Sequence, residues 1–425
     1  MKFGLFYEHQ IPRPWVKESE HQLFQNALKQ VELADQLGFD YVWEVEHHFL
    51  EEYSHSSAPE VFLGACSQRT KQIRMGHGII LHPPAYNHPA RIAERLATLD
   101  LVSNGRVDWG TGESASRIEL EAFGLDPTKK RDMWTESVRE TAKMMTQDPY
   151  EGYQGTYFSM PPRNVVPKPL QKPHPPIWIA CSSRETIKFA AKNGIGALTF
   201  AFVDPEEAKN WVDDYYHVFE TECEPIGQTV NPNVAMVTGF SCHEDEQTAL
   251  KRGLEGLRFF QFALAHYYIN GSHIPGQTNI WQNFQKQESS GQKNNRGGLG
   301  TPAQLREHLE KFETAGVDQV IFLQQAGNNQ HSDICDSLKL FSDSVMPDFK
   351  KREKILAEQK ALRLAPAIRK ALERVPPNSQ FDPPLVDSYP ILKQKAQQNN
   401  KTEMNTEQPA LDPKWQAAIE GGDRR

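Results

Sequence analysis

Five cysteines in 425 residues are few, and their placement excludes most structural uses. Cys66, Cys181, Cys223, Cys242 and Cys335 are scattered, odd in number and never spaced as CxxC, so neither a disulfide framework nor a zinc knuckle is indicated, and reduced thiols are expected. Long apolar runs are missing as well. No stretch approaches roughly 18 uninterrupted apolar residues. The opening MKFGLFYEHQ lacks the charged segment and extended apolar core of a secretory leader. A cytoplasmic protein that does not span a membrane is expected. Blocks of lysine and arginine are absent before residue 350, and the formal charge is −8. Nucleic acid and anionic membranes are therefore poor partners, and a small molecule is favoured. Neither an HExxH motif nor a fixed repeat of ~30 residues is present.

What is present is the composition of a folded chain, with 38% hydrophobic and 24% charged residues. Short β-favouring runs alternate with amphipathic helical ones: KFGLFYE, EHQLFQNALKQVELADQLGF, DYVWEVE, APEVFLGACSQRT, IRMGHGIIL, HPARIAERLATLDLVSNG, RVDWGTGES. The alternation resumes with PPIWIAC and runs on to DQVIFLQQ, giving about eight βα units, the signature of a parallel sheet. That number fits the α/β class as a closed (β/α)8 TIM barrel better than an open doubly wound sheet. Gly38, Gly105, Gly194 and Gly316 each follow a periodic helix and precede a strand, as helix-ending glycines do.

Two inserts interrupt the rhythm of a barrel assigned to residues 1–350. Residues 150–176 read as a Gly-turned hairpin with a Pro-rich connection, and residues 271–298 as a long polar loop, both candidates for lids or interfaces. Residues 351–425 read as a C-terminal helix followed by a polar, Pro-, Gln- and Asn-rich tail expected to be extended or disordered.

Barrel enzymes build their sites at the C-terminal ends of the strands, and Glu46, His47 and His48 stand there, after strand 2. Adjacent residues of an extended chain point to opposite faces, so the two histidines cannot easily chelate one metal, and no metal is expected. A histidine with an unperturbed pKa near ~6.5 suits acid/base work, but hydrogen bonding to a neighbouring loop explains the same position equally well. In IACSSRET, Ser182 and Ser183 open a helix whose free amides and dipole would suit an anion, or they are an ordinary N-cap. Gly110 and Gly112 in VDWGTGES would let a ring or a phosphate approach the backbone, or they make a tight turn.

Together, EHHF after strand 2, GHGIIL as strand 3, NHPARIAERLATLDLVSNGRVDWGTGES and PPIWIACSSRET closely resemble the bacterial luciferase-like, flavin-dependent monooxygenases over roughly residues 1 to 350. The resemblance implies a barrel that takes reduced FMN from a separate flavin reductase and reacts it with O2. A C4a-(hydro)peroxyflavin then oxygenates a small organic substrate. Carried over by position, His47 lies beside the reacting edge of the flavin, Glu46 supports the strand 3 backbone, and His48 is a second polar contact. A non-prolyl cis peptide is implied between Gly78 and Ile79, under the ring. Ser182, Ser183 and Thr186 are implied to hold the phosphate. Where the family has an arginine after strand 4 this chain has Glu113, with Arg117 or Arg184 as substitutes. A homodimer through helices of the first half is also implied. An F420-dependent hydride transferase on the same barrel is the alternative, and a non-catalytic flavin-storage protein a further one. F420 has a long acidic tail, so the acidic net charge and CSSRET lean toward FMN.

Overall fold

The computed structural model describes residues 1–200, 202–288, 296–377 and 381–386. Eight strands form the barrel: β1 (Lys2–Tyr7), β2 (Tyr41–Glu44), β3 (Arg74–His77, resuming at Ile80–Leu81), β4 (Val107–Gly112), β5 (Ile177–Cys181), β6 (Gly196–Thr199), β7 (Val234–Cys242) and β8 (Gln319–Leu323). Each pairs in parallel with the next, and β8 returns to β1 through Lys2 opposite Gln319, so the sheet closes. Strands covered on both faces read as continuous apolar runs. β4 and β7 are buried along their whole length.

Helices α1 (Ser19–Leu37), α2 (Pro59–Arg69) and α3 (Pro89–Val102) return the chain between the first strands. Gly38 ends α1 at φ +86°, a left-handed conformation that glycine adopts without a Cβ penalty, and its N–H closes on the carbonyls of Ala34 and Asp35. After β4 come α4 (Arg117–Ala122) and α5 (Lys130–Thr146); α6 (Arg184–Lys192), α7 (Pro205–Glu222) and α8 (Glu246–Ala265) follow β5, β6 and β7. The first insert holds the expected hairpin, Tyr153–Gln154 against Ser159–Met160. The second differs from a plain polar loop. It contains α9 (Ile280–Glu288), because Trp281 and Phe284 find a partner in Phe259 of α8. Residues 289–295 lie outside the described residues.

Strand 3 is also not the continuous run its sequence suggests. It breaks at Gly78 and Ile79: the Gly78 N–H still completes the ladder to the Glu44 carbonyl (2.6 Å), but pairing with β4 stops at Gly76 and resumes only at Ile80. The expected cis peptide is absent there. The cis bonds among the described residues all precede proline, and Gly78–Ile79 is trans, the form favoured by ~3 kcal/mol where nothing enforces the other.

α10 (Pro302–Thr314) precedes β8, α11 (His331–Ser344) follows it, and α12 (Met346–Leu372) then reaches the N-terminal ends of the strands. Phe349, Leu364 and Ala371 bury the inner face of α12. Lys350 reaches Asp40 (2.5 Å) and Lys360 reaches both Asp318 and Asn233 (2.6 Å each). These carboxylates already accept backbone N–H groups at the strand entrances, from Phe3 to Asp40 and from Val234 to Asp318 (2.8 Å each). The compact unit runs from Met1 to Phe381. Of the second unit, residues 382–386 are irregular and exposed, and the expected polar tail from 387 onward lies outside the described residues. No described helix is long and apolar enough to cross a membrane.

Three buried histidines and a partly buried one predict how this fold responds to acid. Burial pushes His82 down to about 3 and His77, His174 and His308 down to about 4, from an ordinary value of 6.5. Two of them have their tautomers set by neighbours. Trp109 donates to Nε2 of His82 (2.9 Å), and the Gln228 N–H donates to Nε2 of His174 (3.0 Å). A group held neutral in the fold contributes stability that is fully present above its unfolded pKa and is lost as pH falls toward its folded one. Denaturant midpoints should therefore drop steeply between about pH 6.5 and pH 4, each such proton adding ~1.4 kcal/mol per pH unit to the slope. A flat profile across that window would refute the assignment of four neutral imidazoles.

Candidate functional site

The C-terminal strand ends gather one polar cluster around His47. β2 stops at Glu44, and the chain then leaves the sheet, pinned by the His47 N–H on the Ser56 carbonyl (2.8 Å). Nδ1 of His47 lies 3.0 Å from Oε1 of Glu119, which stands on the short helix α4 beyond β4. Nε2 faces Oε2 of Glu8, the first residue after β1, at 3.7 Å. The Tyr268 hydroxyl sits 3.4 and 3.5 Å from the two ring nitrogens. Tyr268 belongs to a π-helical turn, His266–Asn270, that extends α8. Such widened turns recur where a side chain is re-aimed at a site.

The charges follow from burial and pairing. Burial opposes a charged His47, but Glu119 and Glu8 outweigh it, and its pKa is pushed up to about 9. Burial likewise raises Glu8, to about 7, with His47 and the Tyr53 hydroxyl opposing. Glu119 goes the other way. Burial would raise it, yet His47, Ser114 and the His48 N–H together hold it below the usual carboxylate range. At neutral pH the centre is an imidazolium between a firm carboxylate and one near its own titration point.

Glu46 fastens the broken strand. Its Oε2 accepts the Leu81 N–H (2.7 Å) and its Oε1 the Asn87 amide (2.9 Å). His48 turns to the same carboxylate, 3.2 Å away, and lies against Tyr86 and Phe123. The two histidines thus enter different surroundings. No three potential metal ligands converge among the described residues. Gly78 and Ile79 form the buried break itself, with the Ile79 side chain lying over Gly112.

On the other side of the mouth, Ser183 caps α6. Its hydroxyl accepts the Thr186 N–H (3.3 Å), and the Thr186 hydroxyl accepts the N–H groups of Ser182 and Ser183 (3.1 Å each). The ordinary cap is therefore realised, on an exposed helix start. Glu113 pairs with Arg131 (2.7 Å) of α5, whose guanidinium lies over the Phe189 ring of α6. The two suggested substitutes are engaged elsewhere on the surface, Arg117 with Glu121 and Arg184 with Asp214, so Arg131 is the cation between Glu113 and α6.

Glu8, Glu119, Tyr268 and Arg131 were not singled out in the sequence. Glu8 ends the β-favouring run KFGLFYE, and applying to strand 1 the strand-end rule used for strand 2 would have found it. The other three lie on helices or a helical extension, where periodicity gives no sign of what they face.

Residues 1–319 match the family model described as luciferase-like monooxygenase. The flavin-dependent trigonelline monooxygenase, oxygenase component, of Acinetobacter baylyi is 26% identical over 361 residues, covering 82% of this chain and 96% of that protein. Monooxygenase RslO1 from Streptomyces bottropensis is 25% identical with a TM-score of 0.68, covering 82% of this chain and 100% of that one. Two structures at 19% identity share the fold. The oxygenating constituent of 3,6-diketocamphane monooxygenase from Pseudomonas putida, in complex with FMN, has a TM-score of 0.63 and covers 82% of this chain and 98% of that one. An F420-dependent secondary alcohol dehydrogenase has a TM-score of 0.62, with coverage of 81% and 98%.

Proposed function

Since the chain belongs to the luciferase-like monooxygenase family, we propose that it is the oxygenase component of a two-component system, taking reduced FMN from a separate flavin reductase and using O2 to oxygenate a small organic substrate. The observation that carries this reading is His47, held charged between two carboxylates at the barrel mouth beside a strand break that Glu46 braces.

The residues present fit a flavin mononucleotide. Gly78 and Ile79 offer a buried floor for a planar ring, and Glu46 keeps its backbone in place through Leu81. The exposed start of α6, with Ser182, Ser183 and Thr186, suits a phosphate, and Arg131 supplies the nearby positive charge while Glu113 orients it. When bound, the reduced flavin supplies the electrons that activate O2. The chain's own work is to hold and move a proton at Nε2 of His47, with Glu119 keeping the ring oriented, His48 as a second polar contact, and the aromatic wall of Tyr86, Phe123 and Tyr268 limiting water. Homodimerisation belongs to the same proposal, through α2 and α3, where Val61, Leu101 and Val102 are exposed.

At this mouth His47 and Arg131 are already paired with carboxylates and offer little surplus positive charge to the long anionic tail of F420, which supports FMN. Anaerobic titration with FMNH2 and with reduced F420 tests the choice. Saturable binding of FMNH2 is expected; tight binding of the deazaflavin alone would replace the oxygenase reading with hydride transfer.

A further inference from the structure

Glu8 is not among the residues proposed to hold the flavin, and its surroundings are those of a proton acceptor. It is 2% exposed. Oε1 takes the Tyr53 hydroxyl (3.0 Å), whereas Oε2 is buried without a hydrogen-bond partner and faces Nε2 of His47 at 3.7 Å. The opposite ring nitrogen is committed to Glu119, which also holds the His48 N–H (2.8 Å) and the Ser114 hydroxyl (2.6 Å). His47 therefore stands between two unlike carboxylates. Glu119 has three donors and stays an anion, while Glu8 has one donor and a free oxygen aimed at the imidazole. The other ionisable groups around the pair are Tyr53, Tyr268 and Glu46, with Glu44 behind Glu8, itself engaged by His9 (2.9 Å).

We propose that Glu8 is a positioning residue that shares the Nε2 proton of His47. When the pair closes from 3.7 Å to hydrogen-bond distance, the N–H bond at Nε2 breaks as an O–H bond forms at Oε2 of Glu8, so an ion pair becomes a neutral pair with no change in net charge and no proton taken from bulk water. The return step moves the same proton from Oε2 back to Nε2 and restores the imidazolium, so one proton serves both positions. Glu8 raised to about 7 beside His47 raised to about 9 keeps the two states close enough for exchange. What the proton is used for rests on the proposed function; the sharing does not.

The test is an NMR titration of the full chain with labelled histidines, the His47 signal being identified by its loss in His47→Asn. In Glu8→Gln the His47 midpoint should move toward acid by about one pH unit or more, and Glu8→Asp should restore most of the shift. An unmoved midpoint in Glu8→Gln overturns the proposal. If that variant does not fold, difference infrared spectroscopy of the unmodified protein between about pH 6 and about pH 8 decides. A protonated-carboxyl band fading near neutrality supports the sharing, and its absence overturns it. Both readouts use protein without flavin, so a failure of flavin binding is told apart from a failure of proton sharing.

Discussion

Replacing His47 with alanine should reduce the oxygenated product formed per reduced flavin by about a hundredfold to ten-thousandfold, the range that a positioned acid/base group contributes. The imidazole carries the positive charge between Glu119 and Glu8, and neither Glu119 nor the tyrosines can replace it as a proton donor. Glu119 is held below the usual carboxylate range, and burial keeps the tyrosine hydroxyls well above theirs. The barrel should survive the change. The backbone bond from residue 47 to the Ser56 carbonyl is retained, and Glu119 keeps the His48 N–H and the Ser114 hydroxyl. Glu8, without its cation, takes up a proton near neutrality and relieves the buried charge. Circular dichroism should thus be native while product yield collapses. Near-normal yield would remove His47 from the chemistry.

The largest effect on stability is expected at Gly110. A Cβ there would fall inside the van der Waals envelope of the His77 carbonyl oxygen, with the carbonyl carbon only 2.9 Å away. Both groups are backbone of adjoining strands, so no rotamer change relieves the clash. β4 has to move away from β3, where Met75 pairs with Val107 and Gly76 with Asp108. Gly110→Ala should cost more than ~4 kcal/mol, a large share of the ~5–15 kcal/mol by which a domain is stable. Gly38→Ala is the control. It forces an alanine into a left-handed turn but meets no atom within 4 Å, so its cost should stay at about 1–2 kcal/mol. Urea midpoints distinguish the two, and equal midpoints would show that the close approach to His77 is not what Gly110 is for.

The barrel was legible because each strand has both faces covered and each helix one, so that apolar runs and 3.6-residue periodicity alternate in KFGLFYE, DYVWEVE and the segments between. The break in strand 3 was not. GHGIIL reads as uninterrupted strand, and the division shows only in the lost pairing with β4 between Gly76 and Ile80 and in the Glu46 carboxylate taking up Leu81. At the mouth, Glu46, His47 and His48 were visible because they adjoin a strand. Glu119 became a partner of His47 through the path of α4, and Tyr268 through one widened helical turn; neither path is written in a local pattern. Arg131 lies well along the chain from the position where an arginine was sought, and reaches it because α5 runs back beside Glu113.

The strand entrances depend on residues that come after the last strand. The lysines that neutralise Asp40 and Asp318 lie on α12, whereas all eight strands are complete at Leu323. Without α12 those two carboxylates would keep the amides of Phe3 and Val234 but lose their counter-ions. The seam between first and last strand is thus secured from outside the barrel, and a chain shortened before α12 should exchange the Phe3 and Val234 amide protons faster while the mouth at the opposite strand ends keeps its contacts.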